Sequence, residues 1–239
     1  MKSLRTLLVI ALVSVSAPAL AQTHAAEAKA GVVFKVSDAL ILGAASAGAA
    51  GLWHYDREIT NWFRQPVLQN NTALRSMMTG ARLFGDPGTI VLGVGLWAGG
   101  AIRGDQATST DGVRSLESVA VASALAWLIK GASGRARPYV DSTNSSDWKA
   151  GRGFGDRSDF ESFPSGHVTA AFAFASAITA RVAKRSPAEA RWLGPLLYGA
   201  ATLTGFSRVY DHKHWASDVL LGAAIGTVSG LVVVRSHER

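Results

Sequence analysis

The sequence contains no cysteine, which excludes disulfides and thiolate metal sites. Its six histidines form no His-x-x-x-His or His-Glu-x-x-His pattern, so the helical metal-ligand signatures are missing as well. No metal and no cofactor is expected. Strand-like alternation of polar and apolar residues occurs almost nowhere, and no repeat or low-complexity block is visible. No basic run interleaves with aromatics in the way a nucleic-acid groove requires. The formal charge of +7 therefore points to anionic headgroups or phosphorylated substrates and not to nucleic acid.

What the chain does have is apolar segments rich in Ala and Gly: Ala39–Trp53, Thr89–Ile102, Val119–Ile129, Val168–Ala180, Leu196–Phe206 and Val219–Val234. They predict an all-α bundle of about six core helices with short accessory helices. Ahead of them, Lys2 and Arg5 precede the apolar run Leu7–Val15 and the small residues Ala19-Leu20-Ala21. Residues 1–21 thus read as an export signal, or as an uncleaved anchor. Residues 22–37 read as a linker and 38–239 as one domain. The stretch Asp56–Asp86 predicts amphipathic helices across one end of the bundle or on a membrane surface. Arg103–Arg114 reads as a turn-rich connection around Asp111-Gly112, and Arg181–Arg191 as a basic polar one.

Three stretches at segment edges carry chemistry. In Ser207-Arg208-Val209-Tyr210-Asp211-His212-Lys213-His214-Trp215-Ala216-Ser217-Asp218, a helix starting near Trp215 puts Asp218 one turn from His214, on the same face. A carboxylate there can hold the imidazole N–H and fix the tautomer, leaving the other nitrogen to attack. Arg208 adds a planar cation suited to phosphate oxygens. His212 is the rival nucleophile, less well spaced from Arg208 and Asp218. The run from Lys130 to Arg137-Pro138 contributes two further cations, with Arg135 between them. In Phe163-Pro164-Ser165-Gly166-His167, Ser165 is a good N-cap and Gly166 allows close approach of backbone to ligand. Freed N–H groups at that helix start form an anion site, with His167 beside it. The glycines at 151, 153 and 155 invite a phosphate-loop reading, but no Gly-Lys-Ser/Thr follows. The long stretch from Tyr139 to Phe163 is expected to be a loop over the mouth of the site.

Lys-x6-Arg-Pro, Pro-Ser-Gly-His and Ser-Arg-x5-His-x3-Asp, in that order, resemble the type 2 phosphatidic acid phosphatase superfamily. That superfamily includes lipid phosphatases, class A acid phosphatases and vanadium haloperoxidases. The resemblance implies that His214 forms a phosphohistidine and that Asp218 orients and charge-balances it. It implies that His167 protonates the leaving oxygen and then activates water. Lys130, Arg137, Ser165, Gly166 and Arg208 would bind the phosphate, with no metal involved.

The substrates so implied are phosphomonoesters or diphosphates on envelope lipids, among them phosphatidic acid, phosphatidylglycerophosphate, polyprenyl diphosphate and lipid A phosphates. A soluble periplasmic acid phosphatase acting on small esters is the alternative; a haloperoxidase or a non-catalytic anion binder fits less well. Each apolar segment falls short of the ~20 residues of a simple span, yet small residues are what packed membrane helices use. Trp53, Trp192 and Trp215 could form an interfacial belt. The expectation is a membrane-associated bundle with its site facing the periplasm. With a cleaved leader, that orientation requires an even number of crossings before Lys130.

Overall fold

In the computed structural model, which describes residues 33–155 and 158–238, eight helices carry the chain and no strand occurs among the described residues. They are α1 (Val36–Trp53), α2 (Asp56–Phe63), α3 (Thr72–Leu83), α4 (Thr89–Arg103), α5 (Gln106–Ser133), α6 (Gly166–Arg185), α7 (Pro187–Tyr210) and α8 (Ala216–Ser236). A single turn, Pro66–Gln69, lies between α2 and α3, and a π-helical turn, Phe84–Gly88, joins α3 to α4. The all-α expectation holds, and each of the six apolar segments forms the body of a longer helix. The leader and most of the expected linker fall outside the described residues.

Two expected connections are replaced by helix. Arg103–Arg114 is not turn-rich beyond Gly104 and Asp105. Gly104 takes a left-handed φ of 71° that ends α4, and the Asp105 carboxylate accepts the Thr108 N–H at 3.1 Å to open α5. Asp111 and Gly112 sit inside α5. A Cβ on Gly112 would strike the backbone of Trp97, so this glycine lets α4 and α5 touch. Asp111 is no turn residue either: it is buried, and it accepts from Arg181 at 2.9 Å and from Arg185. The basic stretch Arg181–Arg191 narrows to Ser186 alone between two helices. Pro187 then occupies the first turn of α7, where its missing N–H costs nothing.

The helix α6 is the axis of the bundle, with α5, α7 and α8 packed around it. Its inner residues Ala170, Ala173, Phe174, Ile178 and Val182 meet Val119 and Ala122 of α5 in one apolar cluster. Against α8 the spacing is set by glycine. A Cβ on Gly222 would come within 2.9 Å of Ser165 O, one on Gly226 would strike Thr169 O, and one on Gly230 would lie 2.6 Å from Ala173 O. This four-residue repeat of glycine brings two helix backbones into contact, as in small-x-x-x-small pairs. It also fixes the starts of α6 and α8 side by side, and those starts carry Ser165, Gly166, His167 and Asp218.

Large apolar side chains point outward on α4, α5 and α7, among them Val91, Trp97, Ile102, Trp127, Trp192 and Leu196. Three helices, α1, α5 and α8, are long and apolar enough to cross a membrane. Trp53 and Trp192 are exposed in keeping with an interfacial role, but Trp215 is fully buried. Its indole N–H donates to Ala136 O at 2.9 Å, so it belongs to the core beneath the site and not to a belt.

Candidate active site

The C-terminal ends of α5 and α7 and the N-terminal ends of α6 and α8 meet at one end of the bundle. Lys130 lies in the last turn of α5, which closes on Gly134 with a left-handed φ of 56°. The ammonium of Lys130 donates to Glu161 O at 2.6 Å, and its stem passes Gly166, where a Cβ would stand 3.5 Å from Lys130 Cε. That is ordinary contact, so the fold itself does not demand glycine at 166. Arg208 lies in the last turn of α7, buried, with one guanidinium nitrogen 3.1 Å from Asp211. Arg137 donates to Ser158 O at 2.7 Å. Lys130, Arg137 and Arg208 all lie close enough to act electrostatically on the ring of His167. The eight residues singled out by sequence thus converge.

Ser165 precedes α6 as expected, yet its side chain caps nothing. Its buried Oγ, like the buried Nε of Arg208, has no hydrogen-bond partner among the described residues. A buried donor without a partner costs about 1–3 kcal/mol. Such a cost is tolerated where a ligand supplies the partner, and both donors suit an anion.

His214 is 2 % exposed. Burial is the main force on its imidazole and pushes its pKa well below the usual histidine range, with Lys130 and Arg137 acting the same way and Asp218 opposing. The ring is therefore neutral in the free protein. Nδ1 stands 2.6 Å from Ser162 O and 3.8 Å from the Asp218 carboxylate. A carbonyl only accepts, so the proton is on Nδ1 and the lone pair is on Nε2. Here the structure corrects the expectation that Asp218 holds the imidazole N–H directly. The carboxylate is occupied elsewhere: it accepts from the Trp215 N–H at 2.9 Å, from Ser162 Oγ at 2.5 Å and from Arg135 at 2.5 Å. Asp218 reaches His214 through Ser162, whose hydroxyl it fixes and whose carbonyl holds the ring.

His167 lies 4.0 Å by its Nε2 from Asp86, which the turn between α3 and α4 carries to the mouth. His212 lies elsewhere. Its Nε2 is 3.5 Å from the Gln69 side-chain nitrogen, and burial together with Arg64 pushes its pKa down to about 4. The glycine-rich stretch is no phosphate cradle: a Cβ on Gly153 would meet the Lys130 carbonyl, so that glycine lets the loop pack on the end of α5. The loop from Tyr139 to Phe163 is pinned there, with Arg152 donating to Gly134 O at 2.7 Å and to Asp147 at 2.9 Å.

Sequence reasoning missed Arg135, Ser162 and Asp56 as parts of this site. Arg135 stood in plain view between two motif cations, but nothing in the sequence gives its partners.

Among the described residues, fold and site together define an all-α bundle with cations and histidines gathered at one helix end. The chain belongs to the PAP2 superfamily, whose family model matches residues 111–239. It is 40 % identical over 87 residues to the lipid A 1-phosphatase of Porphyromonas gingivalis; the match takes in 36 % of this chain and 19 % of that protein, so the chain spans about a fifth of its relative's length. It also resembles the crystal structure of a transmembrane PAP2-type phosphatidylglycerolphosphate phosphatase from Bacillus subtilis. The TM-score is 0.61 at 25 % identity, over 83 % of this chain and 92 % of that one. The bundle is of the membrane type, in line with its three candidate spans.

Proposed function

We propose that this protein hydrolyses phosphomonoester or diphosphate groups of envelope lipids through a phosphohistidine on His214, without a metal. The observation that supports this best is a single one. Three cations and two unpartnered buried donors, Ser165 Oγ and Arg208 Nε, surround a neutral histidine whose Nε2 lone pair is set free by the Ser162 carbonyl.

In the reading, Lys130, Arg137, Arg208, Ser165 Oγ and the Gly166 N–H hold the non-bridging oxygens, so that charge developing in the transition state meets preorganised donors. His214 Nε2 attacks phosphorus, the bond from phosphorus to the leaving oxygen breaks, and His167 gives that oxygen a proton. The resulting cationic phosphohistidine keeps its Nδ1–H on Ser162 O. His167, now neutral, takes a proton from water, whose oxygen attacks phosphorus as the bond from phosphorus to His214 Nε2 breaks, which releases phosphate and returns His214 to its resting form. The negative charge of the bound phosphate offsets the neighbouring cations and so favours the protonated ring in the first step.

The relatives support a lipid substrate, one being named for lipid A and the other for phosphatidylglycerolphosphate. The apolar exterior supports a membrane setting. A site facing the periplasm is proposed from the envelope lipid substrates. Arg103, Arg114, Arg181, Lys184, Arg185 and Arg235 lie at or near the opposite ends of the helices. Arg57, Arg64, Lys149 and Arg152 join the site cations at the other, so charge does not decide the orientation. Three long helices, α1, α4 and α5, precede Lys130. α4 runs from Asp86 at the mouth to Arg103 at the other end, and α1 from Asp38 beside Arg235 to Trp53 beside Ser145. A site facing the periplasm therefore puts the start of α1 on the cytoplasmic side, which a cleaved leader does not.

The test is phosphate release in excess EDTA from a long-chain lipid phosphate in mixed micelles, against a small soluble phosphomonoester, with His214→Ala as the blank. Strong preference for the lipid is the expected result. Equal or better turnover of the small ester would move the reading to a soluble-type acid phosphatase.

A further inference from the structure

Arg135 is 1 % exposed, and it lies between two carboxylates that are fully buried, Asp56 and Asp218. It donates to Asp56 at 2.7 Å and to Asp218 at 2.5 Å. Two further donors go to the Ser145 carbonyl at 2.8 and 3.1 Å. Its flat face lies over Trp148, 4.5 Å from the ring centre, and 5.5 Å from that of Trp215. Asp56, in the first turn of α2, accepts from the Ser217 N–H at 3.0 Å and from Ser217 Oγ at 2.5 Å. Ser217 Oγ in turn accepts from Arg135 at 2.8 Å. Every oxygen in the cluster has a donor, which is the condition under which buried charge is tolerated.

The cluster has a direction. Asp56 holds one arm of Arg135 and the start of α8. The other arm holds Asp218, Asp218 holds the Ser162 hydroxyl, and the Ser162 carbonyl holds His214 Nδ1 at 2.6 Å. A packing role alone would not require two charges to be buried at this point, where hydrophobic residues of the same volume are as stable or more so. The rest of the segment from α2 to Gln69 acts on the same loops. Arg64 donates to Pro138 O at 2.9 Å, next to Arg137, and Gln69 to Tyr210 O at 3.2 Å, two residues beyond Arg208. The segment lies outside the region that the family model matches.

We propose that Asp56 and Arg135 are positioning residues for the reaction: as a buried ion pair they fix Asp218 and Ser162, and so aim the His214 imidazole at phosphorus. The inference rests on His214 being the nucleophile. Asp56 contributes nothing to anion binding, because none of its contacts reaches the phosphate-binding donors. Its loss should therefore appear in kcat and leave KM and competitive inhibition by inorganic phosphate unchanged.

The experiment is a double-mutant cycle in the full-length protein with a lipid phosphate in mixed micelles, using Asp56→Asn, Asp218→Asn and the pair. Misplacement of a catalytic group by about 1 Å costs on the order of 10²-fold, and a loss of kcat near that size is expected for Asp56→Asn. Added to Asp218→Asn, the same change should cost little more, since both act through one chain of contacts. Wild-type kcat in Asp56→Asn, an equal loss in both backgrounds, or a loss carried by weaker inhibition by inorganic phosphate would each overturn the proposal. If Asp56→Asn does not fold, Ser217→Ala decides, because it removes only the hydroxyl shared by Asp56 and Arg135. A reduced kcat supports the proposal and a wild-type kcat overturns it. His214→Ala run alongside separates the two levels: if that variant turns over, the nucleophile assignment fails, whereas an inert His214→Ala with unaffected Asp56 variants sinks the positioning role alone.

Discussion

Ser165 shows how a residue can be costly to the fold and useful to the site. Its hydroxyl is fully buried and unpartnered among the described residues, so Ser165→Ala removes an unsatisfied group instead of a bond. The expected outcome is a melting temperature in detergent that is equal to wild type or higher, with phosphatase activity reduced about tenfold or more, as for loss of one transition-state donor. A destabilised but fully active variant would contradict that reading. His212 yields a prediction of a different kind. Its folded pKa of about 4 lies below the ~6.5 of an unfolded histidine. Between those values the unfolded chain binds the extra proton, so stability rises with pH and is lost as pH falls from about 6.5 toward 4. His212→Gln should lessen the drop in melting temperature between pH 7.5 and pH 5; an undiminished drop would place that titration elsewhere.

The motif residues were legible because each stands at the edge of an apolar segment, where a helix must begin or end. Their partners were not. Asp56 meets Ser217 from 161 positions away and Arg135 from 79, and no periodicity or spacing encodes such a contact. Ser162 acts partly through its backbone carbonyl, which any residue would supply, so its type carries only half the signal. The spacing rule that pairs His214 with Asp218 was right about the shared face and wrong about the bond, because Arg135, Ser162 and Trp215 compete for the carboxylate.

At the scale of elements, the α6–α8 contact sets the site. Since a Cβ on Gly226 would strike Thr169 O, Gly226→Val should push the two helices apart. Both melting temperature and kcat should fall, because Ser165 and His167 then move relative to His214. A stable, fully active variant would mean the helix spacing does not govern the site. The far end of the bundle offers the contrast. Asp111 bridges α5 to Arg181 and Arg185 of α6, and at 1.5 Å per residue it lies roughly 28 Å along α5 from Lys130. Asp111→Ala leaves two arginines without their buried partner. Because both arginines reach solvent, it should cost only about 1–2 kcal/mol, while kcat and KM stay at wild type. These connections also explain two misreadings in the sequence. Asp-Gly is a strong turn signal in a surface loop, but here the aspartate neutralises neighbouring arginines and the glycine admits a crossing helix, so tertiary packing overrides it.

Among the described residues, the charge proposed to act in the reaction gathers at one end of the bundle, while large apolar side chains face outward along its helices. The absence of cysteine makes its orientation straightforward to measure. Single substitutions Lys149→Cys, in the loop beside the site, and Lys184→Cys, at the other end of α6, report the two sides without background labelling. If the site faces the periplasm, an impermeant thiol reagent should modify position 149 in intact cells with a permeable outer membrane, and position 184 only after the inner membrane is opened. The reverse pattern would put the site in the cytoplasm.

The central claim is the covalent step on His214. Phosphohistidine survives alkali and is lost in acid, so lipid substrate carrying radiolabelled phosphate can be mixed with the protein, quenched in base within the first turnover, and the chain digested. The account predicts label on the peptide that contains His214, lost on brief acid treatment and absent from His214→Ala. Turnover with no label on that peptide, or with the label retained in His214→Ala, would contradict it.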